Sequence, residues 1–346
     1  MTATDDLARL VALVERHGWR LAAVGDPQQL PAVGRGGVFA HWCDTLPHHA
    51  LEQPRRFAQP WEAAASLALR AGQANAVDAY AEHGRLTTAH PLVAASHVAR
   101  EHQRHVAAGC SVAISTTNAE AARAINTEIQ YRRGRRGGAV RLHDGSVARV
   151  GDQIATRRND PALRTTTGAK VRNRQTWTVA AVHGDGGLTV SHPTRGRVDL
   201  PAGYIAAHVE LGWAVTGYGT QGDTVDIGIA VLDNQTSRNH AYVAMTRGRK
   251  ANHAVLLDPT GAQDPAEQLA QIIARPANGE SALTTRARLH RVAGFEPPDH
   301  RDRGEPEPPS AASLAPELQA RIDELQRRLD RLQHRAPQRG GSTIAR

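Results

Sequence analysis

The sequence has 346 residues, 42 Lys and Arg against 34 Asp and Glu, a net charge of +8 and an isoelectric point near 10.2, a balance that favours a polyanionic partner. Its two cysteines, Cys43 and Cys110, lie far apart and outside any C-x-x-C pair, which argues against a disulfide framework or a zinc knuckle and fits a reducing cytoplasm. No signal-peptide pattern or eighteen-residue apolar stretch occurs, so we expect a soluble, cytoplasmic protein without a membrane partner.

The first half of the chain alternates predicted helices and strands, the pattern of an α/β protein. A helix is predicted over residues 5–17, where the apolar residues share one face and Gly18 follows. The apolar run LAAVGD, at 21–26, predicts a buried strand that leads into a polar turn. Similar patterns predict helices at 61–83, 92–108 and, capped by Asn118, 118–133, and a buried strand at 110–116.

Between residues 140 and 205 the pattern changes to short apolar stretches separated by turn residues. This pattern is typical of a small antiparallel β barrel inserted between α/β elements. The α/β pattern then returns, with a strand at 227–233, a helix around 238–249 and a strand at 253–258.

The end of the chain has a looser composition. Residues beyond about 275 are rich in Pro, Glu and Arg, and we predict a linker over 259–312 that does not pack. An amphipathic helix is predicted at 313–335, because spacings of four and three alternate between Leu318, Ile322, Leu325, Leu329 and Leu332. This seam favours a coiled coil, but it is short, so docking on the protein body or on a partner is an equal alternative.

Positive charge is concentrated in residues 123–174, which hold thirteen Lys and Arg against four Asp and Glu. Phosphate contacts supply most sequence-independent affinity for nucleic acid, so nucleic acid is the first candidate partner. A solvated basic face is the alternative that charge alone leaves open.

Two stretches in the first part of the chain carry residues suited to a catalytic site. GDPQQLPAVGRGG places Asp26 and Gln28 at the end of the predicted strand, where α/β proteins usually bind ligands, although a plain Asp-Pro turn is the alternative. EQPRRFAQPWE places Arg56 just before a helix, a position from which a guanidinium can meet an oxyanion.

Two further stretches lie near the end of the α/β part. VTGYGTQGDTVDIGIAV, at 215–231, is a glycine-rich loop with Gln221 and Gly222 at its apex, suited to close approach by a ligand or simply to a tight connection. HAYVAMTRGRK, at 240–250, puts Arg247 at the end of a helix, where it can reach an anion or only stabilise the helix C-terminus.

In this order the four stretches resemble motifs III, IV, V and VI of superfamily-one helicases, in the RecD-like branch that forms the helicase half of TraA/TrwC-type (MobF) conjugative relaxases. The resemblance runs over residues 1–258, and GDPQQLPAV with YVAMTRGR is its most specific part. It implies an α/β fold of RecA-like, P-loop NTPase type, ATP and Mg²⁺ as cofactors of the complete enzyme, and 5′-to-3′ movement along single-stranded DNA in the bacterial cytoplasm.

The resemblance also implies a division into domains. Residues 1–48 are assigned to a remnant of the first RecA-like domain, and residues 49–139 and 206–258 to the second. The segment 140–205 is assigned to the SH3-like β barrel that this branch inserts into its second domain.

The resemblance gives each matching residue a role. Gln28 corresponds to the motif III glutamine that senses the terminal phosphate and couples it to DNA. Arg56 and Arg247 correspond to the arginine fingers of motifs IV and VI, and these three are the expected catalytic residues. The residues expected at the nucleotide are Gly25, Asp26, Gln28, Gln221 and Gly222.

Contacts with single-stranded DNA are expected at strand ends and in the motif V loop, from Thr116, Asn118, Thr216 and Tyr218. For the residues that follow the strand at 110–116, capping of the next helix is the alternative. Tyr218 stands where the family usually has a histidine, so coupling between nucleotide and DNA is expected to differ. No metal site is predicted, because no H-E-x-x-H or Cys/His cluster occurs.

Two family features are absent from the sequence. Neither Lys170 nor Lys250 follows a glycine, so no G-x-x-x-x-G-K-[ST] phosphate loop is present, and the only Asp-Glu pair is Asp323-Glu324 in the predicted C-terminal helix. We therefore expect a helicase cut between motifs II and III, which alone neither binds ATP and Mg²⁺ tightly nor hydrolyses ATP.

Three functions stay open. The first is a C-terminal helicase part that works when joined to, or complemented by, a chain with relaxase and P-loop portions. The second is a non-enzymatic single-stranded DNA-binding or interaction module. The third is a decayed remnant without a function.

Overall fold

The computed structural model describes residues 3–30, 36–51, 54–134, 137–217 and 224–275. The helices in these ranges are α1 (Thr4–His17), α2 (Val38–Thr45), α3 (Pro60–Ala71), α4 (Asn75–Glu82), α5 (Pro91–Ala107), α6 (Ala119–Arg133), α7 (Ala202–His208), α8 (Arg238–Ala244) and α9 (Pro265–Ala274). None of these described helices is long and apolar enough to cross a membrane.

The strands in the same ranges are β1 (Leu86–Ala89), β2 (Val112–Thr116), β3 (Ala139–Arg141), β4 (Val147–Arg149), β5 (Gln153–Thr156), β6 (Asp160–Arg164), β7 (Lys170–Val171), β8 (Thr176–Val182), β9 (Leu188–His192), β10 (Gly196–Leu200), β11 (Val209–Leu211), β12 (Ala214–Thr216), β13 (Val225–Leu232) and β14 (Gly248–Leu257).

A parallel sheet lies at the centre of the α/β part, with its five strands in the order β1-β14-β13-β2-β12. The central strand, β13, has the sequence VDIGIAVL and is buried along nearly its whole length. Such a continuous apolar run is expected of a parallel strand that is covered on both faces. On its two sides Ile229 pairs with Ile114 and with His253.

Helices cover both faces of this sheet. Along β13, Ile227, Ile229 and Val231 belong to one core with residues of α5 and α6. The intervening Ala230 and Leu232 belong to a second core with α3, α4, α8 and α9. Alternate strand residues point to opposite faces, so the two cores lie on the two sides of one sheet. The predicted α/β class, with a parallel sheet covered by helices on both faces, is confirmed, and its assignment to the RecA-like type stays a prediction.

The segment between α6 and β12 forms a second, antiparallel sheet in the order β10-β9-β8-β5-β11. Its inner residues, including Trp177, Leu188 and Val190, share the core that contains α5 and α6. The sheet extends past the boundary placed at residue 205, because β11 pairs with β5. An antiparallel β insertion is therefore present, and its assignment to the SH3-like class stays a prediction.

The prediction of a strand at 21–26 is wrong. The described residues contain no strand there, and Val24 is 97% exposed. A buried strand needs a neighbour that takes up its backbone hydrogen bonds, and an apolar run does not supply one by itself. The single helix expected over 61–83 is in fact α3 and α4, because Gly72 takes a left-handed conformation, with φ 74°, that ends α3.

The predicted linker is wrong for residues 265–274, which form α9. Leu269 and Ile272 are fully buried in the second core, because a spacing of three places them on one face of a helix. Residues 276–312 of the predicted linker, and the amphipathic helix expected at 313–335, lie outside the described residues.

Candidate nucleotide and DNA site

Residues 25–30, the motif III turn, form a tight polar turn after Gly25. Oδ1 of Asp26 accepts a hydrogen bond from the backbone N–H of Gln28 (3.0 Å), and the Asp26 carbonyl oxygen accepts one from the N–H of Gln29 (3.1 Å). A short polar side chain that bonds the backbone two residues later is a common way to fix such a turn. The Gln28 residue is half-buried.

The motif III turn is held by helices α8 and α3. Nδ2 of Asn239 donates to the carbonyl oxygens of both turn glutamines, at 2.9 and 3.1 Å. The hydroxyl of Tyr242 donates to Oδ2 of Asp26 (3.3 Å), and Nη2 of Arg70 pairs with Oδ1 of the same carboxylate (3.0 Å). Burial and then the Asp26 charge raise the pKa of Tyr242, so its phenol stays protonated and able to donate.

Arg56 reaches the other end of the α8 region. Its Nη1 donates to the carbonyl oxygen of Thr246. Two residues later the backbone N–H of Ala58 donates to the carbonyl oxygen of Arg249 (2.6 Å). Partial burial lowers the pKa of Arg56, although a guanidinium remains charged at neutral pH.

Arg247 is 2% exposed and turns back onto the end of α8. Its Nε donates to the carbonyl oxygen of Val243 (2.7 Å), and its Nη2 donates to Oγ1 of Thr246 (3.0 Å). This is the contact with helix C-terminal carbonyls that the sequence left open as an alternative.

A buried acid from α3 supports the turn around Arg247. Oε1 of Glu62 accepts from the backbone N–H (2.8 Å) and from Nδ2 (3.1 Å) of Asn252. The Asn252 side chain in turn accepts from the N–H of Gly248 (2.6 Å) and donates to its carbonyl oxygen (2.9 Å). Burial raises the pKa of Glu62, which is fully buried.

The Glu62–Asn252 contact was not predicted from the sequence, although one signal was present. Glu62 is the only charged residue in the stretch WEAAASLAL, and an acid within an apolar helical stretch is rarely buried unless it is paired. Asn239 and Tyr242 gave no comparable signal, because their contacts join residues more than two hundred positions apart.

Three of the four predicted motifs therefore meet at residues 239–247. The motif III turn contacts the start and middle of this segment, through Asn239 and Tyr242, and Arg56 contacts Thr246 near its end. Arg247 is its last residue. The motif V apex, with Tyr218, Gln221 and Gly222, lies outside the described residues.

Three of the four DNA-contact candidates, Thr116, Asn118 and Thr216, lie together at the carboxyl edge, which is defined here as the ends of β2 and β12 with residues 116–118 and 216–217. Thr116 and Thr216 are paired across the two strands. The Thr116 hydroxyl is buried and donates to the carbonyl oxygen of Asn118 (2.8 Å), and Oδ1 of Asn118 caps α6 by accepting from Ala121 (2.8 Å). The expected capping is therefore observed, and contact with DNA stays a prediction.

The predicted catalytic residues are of types that bind anions. Two guanidinium groups and Gln28 offer N–H donors of the kind that phosphate oxygens accept. Within the described ranges no group of three His, Cys, Asp or Glu could hold a metal ion. Binding of a terminal phosphate by these donors stays a prediction.

A protein-family model described as an AAA domain matches residues 1–91. The probable conjugal transfer protein TraA of Sinorhizobium fredii is 26% identical over 261 residues, which cover 72% of this chain and 23% of that protein. The conjugal transfer protein TraA of Rhizobium radiobacter is 26% identical over 258 residues, with the same coverage of 72% and 23%. The chain thus spans less than a quarter of the length of these two relatives.

The structure is also similar to the crystal structure of a Pif1 helicase from Bacteroides in complex with ADP-AlF3 and single-stranded DNA. The TM-score is 0.49 and the sequence identity is 15%, over 84% of this chain and 72% of that chain.

The matches to the two TraA proteins cover most of the chain. The chain is therefore similar to a region of TraA-type conjugal transfer proteins.

Proposed function

We propose that this chain supplies part of the 5′-to-3′ DNA helicase of a conjugative relaxase, which moves along single-stranded DNA at the expense of ATP. The observation that carries the proposal is the shared contact of the motif III turn and Arg56 with residues 239–247, the segment that ends in Arg247. Residues from three separate parts of the sequence are thus gathered where a phosphate could meet them.

The chemistry of this arrangement is electrostatic. Arg56 and Arg247 now donate to neutral carbonyl oxygens, of Thr246 and Val243 respectively. A phosphate oxygen is charged and forms stronger hydrogen bonds with guanidinium than a carbonyl does, so both side chains can be drawn from the carbonyls to a phosphate. Guanidinium groups that reach a transferring phosphoryl group stabilise the charge of its transition state.

ATP with Mg²⁺ is proposed as the cofactor of the complete enzyme only. The sequence carries no G-x-x-x-x-G-K-[ST] loop, which is the element that cradles nucleotide phosphates. We therefore propose that this chain alone neither binds ATP tightly nor hydrolyses it, and that relaxase and P-loop portions joined to it, or on another chain, supply the missing groups.

Single-stranded DNA is the proposed polymer, and the basic β insertion supports it. Arg141 at the end of β3, Arg164 at the end of β6, Lys170 on β7 and the following Arg172 are all exposed. Exposed cations on a sheet and its hairpins can contact phosphates without reading sequence. The carboxyl edge, with Thr216 and Asn118, offers hydroxyl and amide groups for the same backbone.

Binding of a fluorescein-labelled oligothymidine, measured by anisotropy at increasing NaCl concentrations, tests the proposal. Affinity should fall steeply with salt, by a log–log slope of about −0.7 for each phosphate contact. Arg164→Ala should make the slope shallower, whereas Arg16→Ala, which removes an exposed arginine of α1, is the matched control and should leave it unchanged. Absence of binding by the wild-type chain would contradict the proposed function.

Phosphate release from ATP, measured with and without the oligothymidine, tests whether this chain alone hydrolyses ATP. We expect no ATP hydrolysis by this chain in either condition, and DNA-stimulated turnover would contradict the proposed inactivity. If the chain binds DNA in a salt-dependent way, and ATP does not change this binding even after a chain with a P-loop is added, the result would favour the non-enzymatic DNA-binding module.

A further inference from the structure

The first turn of α8 touches both the motif III turn and the carboxyl edge. Asn239 donates from Nδ2 to the carbonyl oxygens of the two turn glutamines, at 2.9 and 3.1 Å. The next residue, His240, places Nε2 3.2 Å from the carbonyl oxygen of Thr116, at the end of β2. Adjacent helical residues point about 100° apart, so one helical turn can contact two separate places at once.

The His240 contact leaves little free space. A Cβ on Gly217 would lie 2.3 Å from Nε2 of His240, so only glycine fits beside the ring. Burial lowers the pKa of His240, which keeps the imidazole neutral at pH 7. A carbonyl oxygen only accepts hydrogen bonds, so the proton lies on Nε2 and is donated to Thr116. The Thr116 carbonyl also accepts from the N–H of Gly217 (3.1 Å).

The Asn239 contact is equally restricted. Asn239 is 3% exposed, and a second contact one turn later, from the Tyr242 hydroxyl to Asp26, holds the same helix against the motif III turn. A displacement of α8 therefore cannot leave the motif III turn in place without breaking these hydrogen bonds. The same displacement breaks the bond from His240 to Thr116.

We infer that α8 couples the carboxyl edge to the motif III turn, with two adjacent positioning residues in its first turn: His240 contacts the carboxyl edge and Asn239 contacts the motif III turn. The inference rests on the proposed binding of single-stranded DNA at the carboxyl edge. DNA that contacts residues 116–118 or 216–217 displaces the Thr116 carbonyl, and His240 and Asn239 transmit this change to the backbone of Gln28. By linkage, a change imposed on the motif III turn alters DNA affinity by the same factor.

Hydrogen–deuterium exchange of the full chain, with and without saturating oligothymidine, tests this coupling. In the wild type, DNA should change the exchange rate of the peptide covering residues 25–30 by about fivefold or more, the lower end of ordinary coupling. His240→Leu removes the donor to Thr116 and should abolish the change. His240→Gln keeps an N–H donor and should restore it, which a purely space-filling role would not require. Asn239→Leu breaks the link at its other end and should also abolish the change.

The outcomes are separable. If the wild-type chain binds DNA and the exchange rate at residues 25–30 does not change, the coupling is overturned and the proposed function stands. The same conclusion follows if DNA changes this exchange rate in His240→Leu as it does in the wild type. Wild-type chain that does not bind DNA overturns both. The peptide that covers α9 serves as the internal reference, because its exchange should be the same in every variant that is folded.

Discussion

Replacing Glu62 with alanine tests how strongly α3 supports the turn that carries Arg247. Oε1 of Glu62 accepts hydrogen bonds from the backbone N–H and the side-chain Nδ2 of Asn252, at 2.8 and 3.1 Å. Both residues are fully buried, and each donor that loses its partner in such a site costs about 1–3 kcal/mol. Two such losses should lower the free energy of unfolding by about 2–6 kcal/mol, measured by urea denaturation with circular dichroism.

Glu62→Gln is the matched control, because its amide oxygen can accept the same two hydrogen bonds. At acidic pH its free energy of unfolding should lie within about 1 kcal/mol of the wild type. Burial raises the pKa of Glu62, so the unfolded chain loses this proton at a lower pH than the folded chain. Wild-type stability should therefore decline as pH rises above the ordinary glutamate range, and the decline should be smaller in the glutamine variant. Equal stability of the alanine and glutamine variants would refute the reasoning, as would a pH-independent difference between Glu62→Gln and wild type.

Three further outcomes are expected. Burial lowers the pKa of His102 to about 4, so His102 takes up a proton at a higher pH in the unfolded chain than in the folded chain. The free energy of unfolding should therefore fall as pH drops through the ordinary histidine range. Urea titrations of His102→Leu should show a smaller fall. Gly248→Ala would put a Cβ 2.1 Å from the carbonyl oxygen of Ala251 and should cost at least about 2 kcal/mol, whereas Gly203→Ala, with nothing within 4 Å, should melt at or slightly above the wild-type temperature. Arg247→Lys loses the planar donor fork and should lower stability by about 1–2 kcal/mol in the same denaturation assay.

The α/β part of the fold could be predicted because its signals are local. The strands expected at 110–116 and 227–233 occur as β2 and β13, since buried parallel strands are continuous apolar runs. Asn118 caps α6 as expected, and Gly18 ends α1 in a left-handed conformation, because caps depend on residue types within a few positions. Each of these features is decided by neighbouring residues.

The contacts that build the candidate site could not be predicted in this way. Asn239 binds a backbone 211 positions away, and an amide that meets a carbonyl leaves no periodic pattern in a sequence. The prediction of a strand at 21–26 was wrong for a related reason. Its apolar run predicts burial, but a buried strand needs a partner strand, and none of the described residues provides one. The motif residues themselves were identified by resemblance to a family. The structure adds the contacts that hold three of the four motifs.

The continuous core beneath the antiparallel sheet has a practical consequence for protein engineering. Because Trp177 and Leu188 pack in the same interior as Val98 of α5 and Ile125 of α6, excising the insertion and closing the gap with a short loop would open that interior to water. The shortened protein should then expose a large apolar surface and aggregate. Domain swaps between relatives should accordingly exchange the insertion together with the two helices beneath it.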